Sequence, residues 1–117
     1  MYREFIAPSD QEIIERLGEW PEVEEESGAR MLTFRGSSGE SILLSYDTLA
    51  RSVRVRWENR EGELILDLFR ESATSMTVQA DSASSRILID FEMGECGGRM
   101  EISITPSMAI RDQLIFT

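Results

Sequence analysis

The hydrophobic positions of this chain change period once. Over residues 9–19, Ile13, Ile14 and Leu17 recur at helical spacing, with Glu12, Glu15, Arg16 and Glu19 at the positions between and around them. Ser9 stands three residues before Glu12. At that spacing a serine oxygen accepts from a first-turn N–H while the glutamate reaches back. Gly18 suits the left-handed residue that closes a helix, and Pro21 prevents its continuation. The pattern predicts one short helix that needs a surface to pack on. Trp20 is expected to help dock it.

From residue 31 the period is two. Met31–Arg35 and Ser41–Tyr46 read as strands separated by Gly36-Ser37-Ser38-Gly39. In Ser52–Glu58, Val53, Val55 and Trp57 share one face, and Arg54 and Arg56 share the other. Asn59-Arg60-Glu61-Gly62 connects to residues 63–70, where Leu64, Leu66 and Leu68 alternate with Ile65, Asp67 and Phe69. Thr74–Gln79 is a weaker strand. In Arg86–Met93 and Arg99–Thr105, Ile87, Ile89, Phe91, Met93, Met100, Ile102 and Ile104 point inward. Pro106 ends the second of these, and Gln113–Thr117 reads as a last strand.

Short connections make such strands antiparallel neighbours. The expected fold is α+β: an N-terminal helix packed on a strongly curved, mainly antiparallel meander sheet of about seven or eight strands, half-barrel-like. Residues 1–117 are expected to form a single domain, with the helix at 9–19, an acidic connector at 20–30 and the sheet at 31–117. Apolar residues at Ile65, Phe69 and Leu88 suggest that the second sheet face is partly covered. The five methionines after Met1 read as core filler.

Composition narrows the chemistry. Histidine is absent, which removes Ser-His-Asp and Cys-His catalysis and histidine metal sites. All twelve basic residues are arginine, so lysine Schiff-base and Walker-type chemistry is also absent. The single cysteine, Cys96, lies in Gly94–Gly98, which reads as a turn, and no histidine stands ready to activate its thiol. The start MYREFIAPSD has neither the apolar run nor the cleavage site of a secretory leader. No apolar run reaches the roughly 20 residues of a membrane span. These features point to a cytoplasmic protein with no catalytic residues, no metal and no cofactor.

The net charge is −10. It disfavours nucleic acid and anionic membranes as partners and favours a basic protein, whose approach it would steer. The charge is uneven. Residues 1–28 carry nine acids against two arginines, a net of −7, and residues 29–117 carry the remaining −3. The densest part is Trp20-Pro21-Glu22-Val23-Glu24-Glu25-Glu26-Ser27. It lacks the spaced ligands and glycine of a calcium loop. Two readings stay open: a solvated connector, or the acidic rim of a partner-binding surface made by Trp20, Glu22, Glu24, Glu25 and Glu26. Arg54, Arg56, Asp67, Asp90 and Glu92 read as a cross-strand ion-pair ladder rather than an acid/base site.

The chain's size, acidity and helix-then-sheet order, with a hairpin such as SVRVRWENREGELILDLFRE, resemble immunity proteins of bacterial polymorphic-toxin and contact-dependent growth inhibition systems. That resemblance implies a non-catalytic binding protein that neutralises a basic cognate toxin by covering its active site. It transfers no functional residue. The alternatives are a secretion or assembly chaperone, which would bind a partner segment along its sheet, and a small-molecule-binding half-barrel.

Overall fold

The computed structural model describes residues 4–116 and places nine strands in two antiparallel sheets beside one helix. Helix α1 spans Asp10–Leu17. The Ser9 side chain accepts from the Glu12 N–H at 3.1 Å, and Gly18 closes the helix at φ 77° with its N–H on the Ile14 carbonyl. The capping pattern is therefore realised, and it trims the helix by a residue or two at each end. Ile13 is fully buried while Ile14 and Leu17 are half-buried.

The first sheet runs in chain order: β1 (Glu22–Val23), β2 (Arg30–Arg35), β3 (Ser41–Asp47), β4 (Ser52–Glu58) and β5 (Leu64–Glu71). The second holds β6 (Ala73–Ala80), β7 (Ser85–Met93), β8 (Cys96–Thr105) and β9 (Ala109–Phe116), also in chain order. The strand alternation and antiparallel meander hold. The single curved half-barrel does not: the described residues form two sheets and no closed barrel.

The division occurs at Ser72, which takes φ 68° between β5 and β6. The Ala73 N–H donates to the carbonyl of Arg51, in the turn that leads into β4 of the first sheet, and the Ser72 carbonyl accepts from Glu92 N–H of the second. The corner is thus hydrogen-bonded to both sheets. Period-two patterning continues on either side of it, so the sequence carries no mark of the break.

One apolar cluster joins the sheets. Leu32, Phe34, Ile42, Leu44, Val53 and Val55 come from the first; Met76, Val78, Ile87, Ile89, Phe91, Met100 and Ile102 come from the second. Each such side chain contributes about 1.5–3 kcal/mol by leaving water. The helix lies against β6. Ile6 bridges β6 in parallel at Ser75, with its N–H on the Thr74 carbonyl and its carbonyl accepting from Met76 N–H. Helix and bridge together cover the β6 edge. Met76, Met100 and Met108 are buried, as core filler should be, but Met31 stands on the outer face of the first sheet.

On the opposite side, Arg70 ties the sheets together. Its guanidinium lies 4.1 Å from the Phe91 ring centroid and pairs with Asp112 of β9. It occupies the space that a side chain at Gly98 would need, since a Cβ there would stand 2.7 Å from Nη2 of Arg70. Cys96, Gly97 and Gly98 are thus the start of β8 rather than part of a turn. A glycine inside a strand marks such a close approach.

Other corrections are local. β9 begins at Ala109, four residues before the expected Gln113, because it pairs along β8 as far as Ser103. Its expected end at Thr117 lies outside the described residues, as do residues 1–3 of the segment read for a leader. A β-bulge steps the β4–β5 register from Trp57–Leu66 to Glu58–Leu64. Ile65 is the extra residue, and Leu64 leaves the inward row of Leu66 and Leu68. Ile65 and Phe69 are 53% and 60% exposed, so the outer face of the first sheet is uncovered there.

Core and edge are expected to respond differently to truncation. Ile89→Ala should cost about 2–5 kcal/mol, and Ile65→Ala should stay within about 0.5 kcal/mol. Urea unfolding of the two variants measures both.

Candidate functional site

The acidic stretch is folded, and it forms an edge hairpin. Glu22 pairs with Met31 and Val23 with Arg30, which makes β1 the outermost strand of the first sheet. The Glu24 N–H reaches the Ala29 carbonyl at 2.9 Å, and the Gly28 N–H returns to the Glu24 carbonyl at 2.8 Å. Ser27 caps the turn by accepting from Ala29 N–H, and Gly28 takes φ 76°. The expected connector at 20–30 is therefore corrected: most of it is β1 and its turn, and Arg30 already belongs to β2. The Ser27-Gly28 pair is the signal in the sequence that marks this turn.

Every candidate residue on the hairpin faces solvent. Glu22, Glu24, Glu25 and Glu26 are exposed, and Trp20 is 57% exposed. Trp20 does not dock the helix as expected. Pro21 is fully buried in its place, so the chain is anchored at the proline and the indole is left outside beside the carboxylates.

At the other side of the hairpin, Arg30 binds the helix start. Its Nε lies 3.2 Å from Asp10 Oδ1 and its Nη2 3.4 Å from Asp10 Oδ2. Tyr46 pairs with Arg30 across the strands and is 3% exposed. Its hydroxyl has no hydrogen-bond partner among the described residues. Burial pushes its ionisation up to about 12; Asp10 adds to the rise and Arg30 opposes it. The sequence does not reveal this cluster, because Asp10 and Arg30 stand twenty residues apart.

The outer face of the first sheet carries the expected ion pairs in part. Arg54 holds Asp67 at two points, 3.0 and 2.8 Å, and Arg56 stands 3.8 Å away. The hydrogen bond from Arg54 holds the Asp67 carboxyl below the ordinary aspartate range. Asp90 is not part of this ladder. It sits on the second sheet, where it pairs with Arg99 at 2.8 Å and accepts from the Ser75 hydroxyl. The sheet break divides what the alternation alone would join.

Grooves follow the same face. One of about 250 Å³ runs from Glu24, Ser27 and Ala29 past Ser45 to Arg54 and Phe69. A neighbouring one of about 180 Å³ is lined by Leu43, Arg56 and Glu58 among others. Among the described residues, no three or more cysteine and carboxylate side chains gather as a metal ion would require. No helix there is long and apolar enough to cross a membrane.

Comparison with known proteins gives one informative likeness. No protein-family model and no curated protein matches the chain. In three dimensions it is similar to a chain of a solved structure described as a contact-dependent growth inhibition toxin–immunity protein complex from Klebsiella pneumoniae 342. The TM-score is 0.83, with 98% of this chain and 100% of that chain covered, at 18% identity. The resemblance read from the sequence is borne out at the level of the fold.

Two titrations test the local electrostatics. Tyr46 should ionise at about 12 in the phenolate absorbance, and Tyr46→Phe should remove that late step. Its folded value lies above the unfolded one, so its contribution to stability is present below the ordinary tyrosine range and is lost as pH rises towards 12. Ionisation near the ordinary value would contradict the buried hydroxyl. Asp67 has the opposite sign: its contribution is present above the ordinary aspartate range and is lost as pH falls through its lowered folded value. Asp67→Asn should flatten that acid-side loss in a series of unfolding curves.

Proposed function

We propose that this chain is a cytoplasmic, non-catalytic immunity protein that neutralises a basic cognate toxin by direct binding. The observation that carries the reading is the likeness over 98% of the chain to a member of a toxin–immunity complex. Charge supports the immunity role: the chain carries −10 overall, and its densest run of carboxylates stands on an exposed hairpin. Trp20, Glu22, Glu24, Glu25 and Glu26 are the partner-binding residues. The carboxylates steer a basic surface inward, and the indole gives it an apolar anchor. Nucleic acid, membrane and cofactor have no part in this mechanism.

The chaperone reading draws on a different observation. Leu64, Ile65, Phe69, Leu114, Ile115 and Phe116 are exposed on β5 and β9, each an edge strand of its sheet. A chaperone would use such residues to hold an unfolded segment. The two readings differ in the partner they require: a toxin domain in the first, an unfolded segment in the second.

Co-expression with the product of the adjacent gene tests the proposal. A stable complex with a basic, growth-inhibiting domain, and rescue of growth, is the expected result. An adjacent product that is neither toxic nor bound would overturn it. Replacing Glu22, Glu24, Glu25 and Glu26 by glutamine should lower the association rate by about tenfold or more at low salt. The difference should fade near 1 M salt, where the screening length falls to about 3 Å. Stopped-flow association at the two salt concentrations measures it.

A further inference from the structure

The hairpin is one margin of a larger surface. Glu22, Met31, Ser45, Arg54 and Phe69 stand in direct cross-strand register, one from each strand of the first sheet. This row spans about 19 Å at the usual strand spacing. Along it runs the groove that joins Glu24, Ser27 and Ala29 to Arg54 and Phe69. Ser45 and Ser52 line its middle and leave room there. Its far end reaches Phe69, which is 60% exposed beside Arg54; farther along the same strand, past Asp67, Ile65 and Leu64 are 53% and 47% exposed.

The charge of this face selects the partner. By register, Glu22, Asp47, Glu58, Asp67 and Glu71 share it with Arg35, Arg54 and Arg56. Carboxylates outnumber arginines five to three before the exposed Glu24, Glu25 and Glu26 are added at the margin. Arg54 is held at two points by Asp67, so it presents a neutralised pair rather than a free cation. Arg56 shares the same carboxylate at 3.8 Å, so the excess of negative charge lies toward the hairpin margin, where a basic surface would settle.

We propose that the partner docks across the outer face of the first sheet, setting basic side chains on the Glu22–Glu26 margin and an apolar side chain against Phe69. This inference rests on the toxin-binding reading and adds the second half of the interface. Steering comes from the hairpin, and residence time comes from Phe69. A large aromatic that a partner can cover is the kind of residue at which binding energy concentrates, and such anchors act mainly on dissociation.

The test uses the full chain and the toxin domain from the adjacent gene, measured by surface plasmon resonance. Phe69→Ala should raise Kd by about tenfold or more, chiefly through faster dissociation, with the low-salt association rate retained. Ile115→Ala, an exposed change on the outer face of the second sheet, should leave Kd within about twofold. Unchanged thermal unfolding of both variants shows that folding is intact. If Phe69→Ala binds like the parent while the four-glutamine variant associates slowly, the extended surface is wrong and the toxin-binding reading stands. If the parent chain binds no toxin, both fall. A dimer of this chain in light scattering that Phe69→Ala dissolves would assign the face to a second copy and overturn the proposal.

Discussion

A shortage of covering elements shapes this molecule. Among the described residues, nine strands have one eight-residue helix beside them, and a helix of two turns cannot cover a sheet. The inner faces must cover each other, and the chain achieves this by breaking its meander once, at Ser72. The left-handed backbone there and the hydrogen bonds to Arg51 and Glu92 fix where the sheets part. The same constraint explains the side contacts. The helix and the Ile6 bridge cover the β6 edge, and Arg70 clasps β9 from β5 across the space left by Gly98.

The functional consequence is an outer face with no covering element. Nothing among the described residues packs over Phe69, Ile65 or Leu64, and the row through Arg54 to the acidic hairpin stays open. A fold that spends its apolar inner faces on one another leaves its outer faces for a partner. In the proposed complex the acidic hairpin gives direction to association, because it places several carboxylates at one margin of that face. Under that proposal the two features divide recognition into encounter and retention.

The local rules were legible in the sequence. Ser9, Glu12 and Gly18 marked the helix, and period-two alternation marked the strands that carry the core. Non-local geometry was not. Whether a meander stays one sheet depends on φ at Ser72, and serine gives no composition signal of a left-handed turn. Trp20 was misplaced because a large aromatic after a helix looks like an anchor, whereas Pro21 took the buried position. Glu22 and Val23 were too short a pair to read as a strand, although Ser27-Gly28 marked the turn behind them. Gly98 read as part of a turn because its meaning lies in Arg70, twenty-eight positions earlier. Phe69 was visible as an apolar residue on the polar face of β5, but its place in register with Glu22 required the whole sheet.

The proposed docking surface is the outer face of the first sheet. Backbone amide hydrogen exchange on the free chain and on its toxin complex tests this most directly. Slower exchange on complex formation at residues 22–28 and 64–71, with β8 and β9 unchanged, is the predicted result. Protection across β8 and β9, with 22–28 and 64–71 exchanging as in the free chain, would contradict it.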